Sequence, residues 1–299
     1  MCVGALGLNQ MTTKTKKSNA MLMILDSNLR FQSLALLLNI LETQPAGLRI
    51  VIFYVYDNDS DLEEYLALVK KTLLFFGFDS QEEFVEVKSI STKMADDLTK
   101  NFTLRSDFPI TTTTFLRLFL TKWLPEDIET LLYVDIDILI KSNLQELFEK
   151  EFNTPICAEL CVPRSLSRGE HLDGENLPYF NAGVLLINMK EWRKLELEES
   201  FIEIGSSRAY LFLDQDILNI RFRNNWTRLG RKYNHFHLYG LGEFDLSFSE
   251  VPSIIHFVGP KPWKEVPQTQ FVAEYRNNFN RIRSLDSRLA DNTDQEIKG

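Results

Sequence analysis

Three short apolar runs, separated by two leucine-rich segments of helical period, occupy the first third of the chain, and their alternation restricts the fold more than any other feature. The runs are MLMIL (21–25), LRIVIFYV (48–55) and FVEVK (84–88). Runs this short and this continuously apolar read as strands buried on both faces of a sheet. Between the first two, NLRFQSLALLLNILET places Leu34, Leu37, Leu38 and Leu41 at helical spacing, and DLEEYLALVKKTLLFF repeats the pattern after the second. Right-handed crossovers close such a strand-helix-strand-helix-strand opening into a parallel half-domain of the nucleotide-binding kind. The rhythm then continues. TTTTFLRLFLTKWLP reads as a helix stopped near Pro125, LLYVDIDILI (131–140) as a buried strand, and SNLQELFEK as a helix entered through a Ser142–Gln145 capping box. FNAGVLLINM reads as a further strand and KEWRKLELEESFIEI as one helix. The expectation is one α/β domain over 20–263 with a mostly parallel mixed sheet, a mobile tail at 1–19, and a partly helical extension over 264–299.

Composition removes several classes of function. A formal net charge of −9 gives no global field to draw the chain to nucleic acid or anionic lipid. Three cysteines, Cys2, Cys157 and Cys161, are too few for a disulfide framework and fit a reducing, cytoplasmic compartment, with Cys157 and Cys161 as small core residues. No apolar run approaches the roughly 18 residues of a membrane-spanning helix. The first twenty residues have neither the basic leader nor the apolar stretch of a signal peptide. No P-loop or G-x-G-x-x-G turn occurs, so any phosphate chemistry must use a metal or cationic side chains.

Such a site is suggested by the two carboxylates inside LLYVDIDILI. In a strand, Asp135 and Asp137 project from one face while Val134, Ile136 and Ile138 project from the other. Two buried like charges need a positive group between them. A divalent cation at the carboxyl edge of the sheet meets that need; a strand that simply ends at Val134, leaving both aspartates in a solvated turn, fits the same pattern. Oxygen ligands suit Mg²⁺ or Mn²⁺, and an imidazole in the same shell favours Mn²⁺. His256, after the short run SIIHFV, is a candidate for that imidazole, although a structural histidine would look the same. Lys261, between Pro260 and Pro262, is an ammonium on a stiffened segment.

Taken in order, FLRLFL, LLYVDIDILI, YFNAGVLLINMKEW, DQDILN and HFVGPKPW make residues 20–263 resemble glycosyltransferase family 8, retaining transferases that include bacterial lipopolysaccharide galactosyl- and glucosyltransferases and glycogenin. The resemblance implies a single Rossmann-like, nucleotide-sugar-binding domain of glycosyltransferase-A type. It implies transfer of a hexose, glucose or galactose, from a UDP-sugar to a glycan, glycolipid or glycoprotein acceptor, as in lipopolysaccharide or other surface-glycan assembly. Asp135 and Asp137 match the D-x-D that holds Mn²⁺, or Mg²⁺, against the donor diphosphate, and His256 matches the third protein ligand. Lys261, in the motif with Gly259, matches the lysine on the diphosphate, and Arg117 the arginine that reaches the donor. Asn181, Ala182 and Gly183 match the segment along the donor sugar, and Asp214 and Gln215 the pair beside the anomeric carbon. Asp26 and Asn28 resemble the uridine-binding residues, and Glu159 falls near an acid that contacts sugar hydroxyls in the bacterial galactosyltransferases.

The residues also have plainer readings. Arg117 fits a helix salt bridge, NAG fits a strand entry, and DQD fits a helix start, with Asp216 as the acid that completes it. Two departures from the family pattern stand out: only Pro260 separates Gly259 from Lys261, where the family more often has two residues, and Leu29 replaces an aromatic near the base. A sugar-nucleotide binding module with little turnover, and a metal-dependent nucleotidyltransferase or phosphoesterase, are the alternatives. Over residues 271–288, Phe271, Tyr275, Phe279 and Ile282 share a helical face flanked by arginines, which fits either peripheral membrane contact or docking on the domain.

Overall fold

The structure, a computed structural model, describes residues 18–104, 112–161, 172, 177–237 and 250–285. Its strands are β1 (Ser18–Asp26), β2 (Arg49–Tyr56), β3 (Val85–Ser91), β4 (Ile128–Val134), β5 (Ile138–Ile140), β6 (Ile156–Leu160), β7 (Phe180–Asn188), β8 (Thr227–Arg228), β9 (His235–Phe236) and β10 (Ile254–His256). Its α-helices are α1 (Arg30–Thr43), α2 (Asp59–Phe75), α3 (Thr92–Thr99), α4 (Gln145–Phe148), α5 (Met189–Lys194), α6 (Glu198–Ser207), α7 (Leu213–Arg221) and α8 (Gln270–Arg283). Because β1 starts at Ser18, residues Ser18 and Asn19 belong to the sheet, although the sequence reading left them in the tail. Among the described residues no helix is long and apolar enough to cross a membrane.

Seven strands form the main sheet in the order β3-β2-β1-β4-β7-β6-β8. β3, β2, β1 and β4 are parallel, and β7 runs antiparallel to both β4 and β6. That reversal brings the amino end of β7 to the edge where β1, β4 and β6 finish. A second sheet, β5-β10-β9, pairs Ile138 with His256. Period-two alternation fills both faces of the main sheet: Met21, Met23 and Leu25 of β1 enter one core, and Ala20, Leu22 and Ile24 the other.

The helix α1 is buried from Gln32 to Leu41, so its apolar surface is too wide for the sheet alone to cover. α8 lies against it and buries Val272, Tyr275, Phe279 and Ile282 in the same core, with Phe271 half-buried. The aromatic face considered for membrane contact is therefore packed inside the domain, and the C-terminal extension up to Leu285 shares its core. Residues 286–288 lie outside the described residues.

Three local expectations differ from the structure. The single helix expected over residues 190–204 is split into α5 and α6 by Glu196 at φ 44°. Trp192 and Phe201 are nine positions apart and would lie on opposite sides of a straight helix, about 180° apart. The break lets their rings meet at 5.7 Å in one core. The capping box at α4 does not form: Asn143 Oδ1 accepts from Gln145 N at 2.7 Å, while the Gln44 side chain satisfies the Leu144 N–H and the Ser142 carbonyl. The threonine-led helix is a tighter 3-10 helix, Thr112–Lys122, kinked at Phe119. Cys157 and Cys161 are buried core residues, as expected, and burial pushes the Cys157 thiol up to about 12.

Candidate active site

β4 ends at Val134, so the aspartates do not lie inside a strand. They are nonetheless not solvated turn residues, because the Asp135–Asp137 bend carries the chain from the main sheet to the small one and is tied to both. Asp135 N donates to Gly183 O of β7 at 2.8 Å, and Phe257 N, just after β10, donates to Asp137 O at 2.9 Å. This two-sided attachment turns both carboxylates towards His256, whose Nε2 lies 3.4 Å from Asp137 Oδ1 and 3.9 Å from Asp135 Oδ2. Asp137 and His256 are buried, and Asp135 is partly exposed.

One ligand atom from each of these three residues lies within 4.8 Å of the others. For ions of Mg²⁺ size, bonds of about 2.1 Å put adjacent ligands about 3.0 Å apart and opposite ones about 4.2 Å apart, so a small contraction would close the set on one cation. Two carboxylate oxygens and one imidazole nitrogen are also the donor chemistry of a Mn²⁺-type site. The residues fit a divalent ion. Burial opposes ionisation of Asp137, but His256 and the Lys261 ammonium, which rests on Asp137 Oδ2, outweigh it and hold the carboxyl well below the usual range. The short Gly259–Lys261 spacing, with Gly259 at φ 95°, thus still delivers Lys261 to the cluster.

Arg117 is 11% exposed at its side chain and is surrounded by groups of the chain itself. It reaches Asp135 Oδ1 at 3.0 Å, Asp214 Oδ2 at 2.9 Å and the Ala182 carbonyl at 2.8 Å, and stacks over Tyr133 at 4.3 Å. The resemblance implied an arginine that reaches the donor; here its visible role is to clamp two acids of the site. Asp214 Oδ1 accepts from Thr114 Oγ1 at 2.7 Å. Burial raises the Asp214 carboxyl above its ordinary range, against the opposing pull of Arg117. Arg117→Met is therefore expected to lower unfolding stability by about 3 kcal/mol near neutral pH, because it strands a buried carboxylate. The deficit should shrink as pH falls, since a raised native-state pKa lets Asp214 take up a proton first, and grow as pH rises above the unfolded carboxyl value of about 3.9. Denaturant titrations at several pH values check this, and a pH-independent deficit would contradict it.

Asn181, Ala182 and Gly183 open β7 beside the aspartates, and Gln215 from the first turn of α7 joins them, its Oε1 accepting from Ala182 N at 2.9 Å. Asp216 takes the structural role expected of it: its Oδ2 accepts from Phe212 N at the helix start, 2.9 Å away, and Tyr179 donates to its Oδ1. Asp26 caps the following turn by accepting from Asn28 N at 3.0 Å and lies 3.4 Å from Thr113 Oγ1. Glu159 is engaged elsewhere, since Arg228 donates to its Oε1 at 2.6 and 2.8 Å and Gly230 N to its Oε2 at 2.8 Å. A carboxylate so saturated is anchored to the β6–β8 edge, an arrangement that the sequence position did not reveal.

The structure adds residues that the sequence reading missed. Tyr133 donates to Asp135 Oδ1 at 2.6 Å, and its signal was present, because positions two apart share a strand face. Asn234, against His256, carries no local pattern that would single it out.

Glycosyl transferase family 8 matches residues 20–266. The chain belongs to this family. Among similar proteins, a probable glycosyl transferase Gly of Streptococcus gordonii is 31% identical over 225 residues, covering 74% of this chain and 30% of the relative. A lipopolysaccharide 1,2-glucosyltransferase of Escherichia coli is 32% identical over 184 residues, covering 56% of this chain and 54% of the relative. The chain thus spans about half or less of these relatives' lengths. The solved galactosyltransferase LgtC, in complex with donor and acceptor sugar analogues, superposes with a TM-score of 0.71 at 18% identity, covering 91% of this chain and 99% of that one. That likeness establishes the shared glycosyltransferase-A type fold of the family 8 chain.

Proposed function

We propose that this family 8 chain transfers a hexose, glucose or galactose, from a UDP-sugar to an acceptor hydroxyl with retention at the anomeric carbon. The carrying observation is the convergence of Asp135, Asp137 and His256 at the end of β4, with Lys261 on Asp137 and with the Asn181–Gly183 start of β7, which holds Gln215, bonded to Asp135. A divalent ion held by Asp135, Asp137 and His256, Mn²⁺ or Mg²⁺, would supply Lewis-acid neutralisation of the diphosphate leaving group.

The side chains divide the remaining work. Breaking the bond between sugar and diphosphate builds negative charge on the leaving oxygen, and the Lys261 ammonium, held at Asp137, is the side-chain cation assigned to neutralise it. Gly259 gives that segment its left-handed turn. The anomeric carbon gains oxocarbenium character, which calls for electron-rich oxygen nearby. The Gln215 carbonyl and the Asp214 carboxylate are the groups assigned to it, oriented by Ala182 N and by Arg117 with Thr114. Arg117 acts on the reaction by holding Asp135 and Asp214 in place. Asn181, Ala182 and Gly183 lie along the sugar, and Asp26 and Asn28, at the end of β1, face the uridine in this reading. The lipopolysaccharide transferases among the relatives support a glycan or glycolipid acceptor in surface-glycan assembly.

The test is product identity. Purified protein with Mn²⁺ and a panel of UDP-sugars is expected to release UDP, slowly to water and faster once an acceptor is supplied. Release of UMP or of a sugar phosphate would place the attack at phosphorus and overturn the proposal. Absence of turnover alongside UDP-sugar binding would favour a binding module.

A further inference from the structure

Three side-chain amides connect the sugar side of the site to the metal side, and two backbone donors leave them one orientation. The oxygen and nitrogen of a carboxamide have nearly the same shape, so neighbours that can only donate decide which is which. The backbone N–H of Ala182 faces Gln215 Oε1 at 2.9 Å, and that of Gly183 faces Asn181 Oδ1 at 3.0 Å. With both oxygens identified, Asn181 Nδ2 donates to Gln215 Oε1 at 3.2 Å. The Asn234 atom 3.0 Å from Asn181 Oδ1 must then be a donor, Nδ2. The Asn234 carbonyl oxygen is left facing His256 Nδ1 at 3.0 Å.

An acceptor at that position requires His256 to carry its proton on Nδ1. In the neutral ring Nε2 is then a bare lone pair, and Nε2 is the nitrogen turned towards Asp135 and Asp137. A free imidazole side chain prefers its proton on Nε2, the form that cannot bind a cation there, so the surroundings must impose the opposite choice. Asn234 is 1% exposed and His256 4%, so bulk water does not compete for either hydrogen bond.

We propose that Asn234 is the positioning residue that fixes His256 as a cation ligand, its own orientation being dictated through Asn181 by the Gly183 N–H. The proposal rests on the reading of Asp135, Asp137 and His256 as a divalent-cation site. It also makes the Asn181–Gly183 start of β7 serve both halves of the site, because the same segment orients Gln215 and, two amides away, the imidazole.

The experiment reads the tautomer directly. Protein labelled with ¹⁵N-histidine, without added metal and at a pH where the ring is neutral, is examined by long-range ¹H–¹⁵N correlation, with His256→Gln used for assignment. Wild-type His256 is expected to show a protonated Nδ1 and a bare Nε2. Asn234→Ala is expected to move the proton to Nε2 and weaken Mn²⁺ binding, followed by the free-ion EPR signal, about 10- to 100-fold. A protonated Nε2 in the wild type overturns the proposal and needs no variant, so a failure of Asn234→Ala to fold leaves the test intact. A folded Asn234→Ala protein with unchanged tautomer and Mn²⁺ affinity also overturns it. Wild-type protein with the expected tautomer but no Mn²⁺ binding would contradict the cation site while upholding the role of Asn234 at His256.

Discussion

Asp137→Asn is expected to reduce UDP release by about a thousandfold or more and to abolish Mn²⁺ binding, while the protein stays folded. The substitution keeps the shape of a side chain that is 6% exposed and removes only its charge. A cation that neutralises a developing oxyanion contributes several kcal/mol, and each 1.36 kcal/mol is about a factor of ten in rate. The fold should tolerate the change because the amide keeps the shape of the carboxyl and the backbone bond from Phe257 N to Asp137 O, and the desolvation cost that disappears with the charge offsets part of the lost attraction to His256 and Lys261. Asp135→Asn should behave alike but be less well tolerated, since Arg117 and Tyr133 both rely on Asp135 Oδ1. Steady-state kinetics with added Mn²⁺ and circular dichroism of each variant check this. Turnover within tenfold of wild type in the folded Asp137→Asn protein would remove the carboxylate from the chemistry.

Gly183→Ala should disable the site as thoroughly, by one added methyl group. A Cβ at this position would stand 2.2 Å from His256 Cε1, 2.9 Å from His256 Nδ1 and 2.8 Å from Asp135 Oδ2. Carbon atoms do not approach within 3 Å without something moving, and the surrounding strands leave little room for it. Gly183 is locked in β7, where its carbonyl accepts from Asp135 N, while His256 is paired with Ile138 across β10 and β5. The imidazole must therefore swing off Asn234 and away from the two carboxylates. Overpacking of this kind costs about 1–3 kcal/mol of stability, but the larger effect is on function: Mn²⁺ affinity is expected to fall at least a hundredfold. Isothermal titration with Mn²⁺ measures it, and an affinity within threefold of wild type would show that the crowding is absorbed elsewhere. The small residue at position 183 thus has a local reason: only a side chain without a Cβ leaves His256 and Asp135 where they stand.

The readable parts of this protein are those set by periodicity. The alternation of β1, α1, β2, α2 and β3 follows directly from the spacing of their apolar residues, whereas the apolar face of α8 fits both membrane contact and docking until α1 is seen to be buried nearly all round. Asp135, Asp137, His256, Lys261 and Arg117 were all legible as chemistry-bearing residues, and the structure brings them together. How they come together was not legible. The pairing of the aspartates was argued from a strand face, whereas the strand stops at Val134 and the two sheets hold the bend from either side. Arg117 fits a helix salt bridge by itself and a donor contact by resemblance, and neither reading names Asp135, Asp214 and the Ala182 carbonyl, which surround its guanidinium. Glu159 was read towards the sugar, but its two oxygens face Arg228 and Gly230, partners at least 69 positions away in the chain. Asn234 had no signal at all, since a single asparagine before a short strand is ordinary until the imidazole behind it is seen.

The proposed function requires a cation seated among Asp135, Asp137 and His256, in contact with the diphosphate of a nucleotide sugar. Anomalous diffraction at the manganese edge, from crystals soaked in Mn²⁺ and UDP, tests that directly. The predicted result is one strong peak within about 2.5 Å of both carboxylates and of His256 Nε2, with diphosphate oxygens completing its shell near Lys261. A peak located elsewhere, or UDP bound with no manganese between these three side chains, would contradict the account.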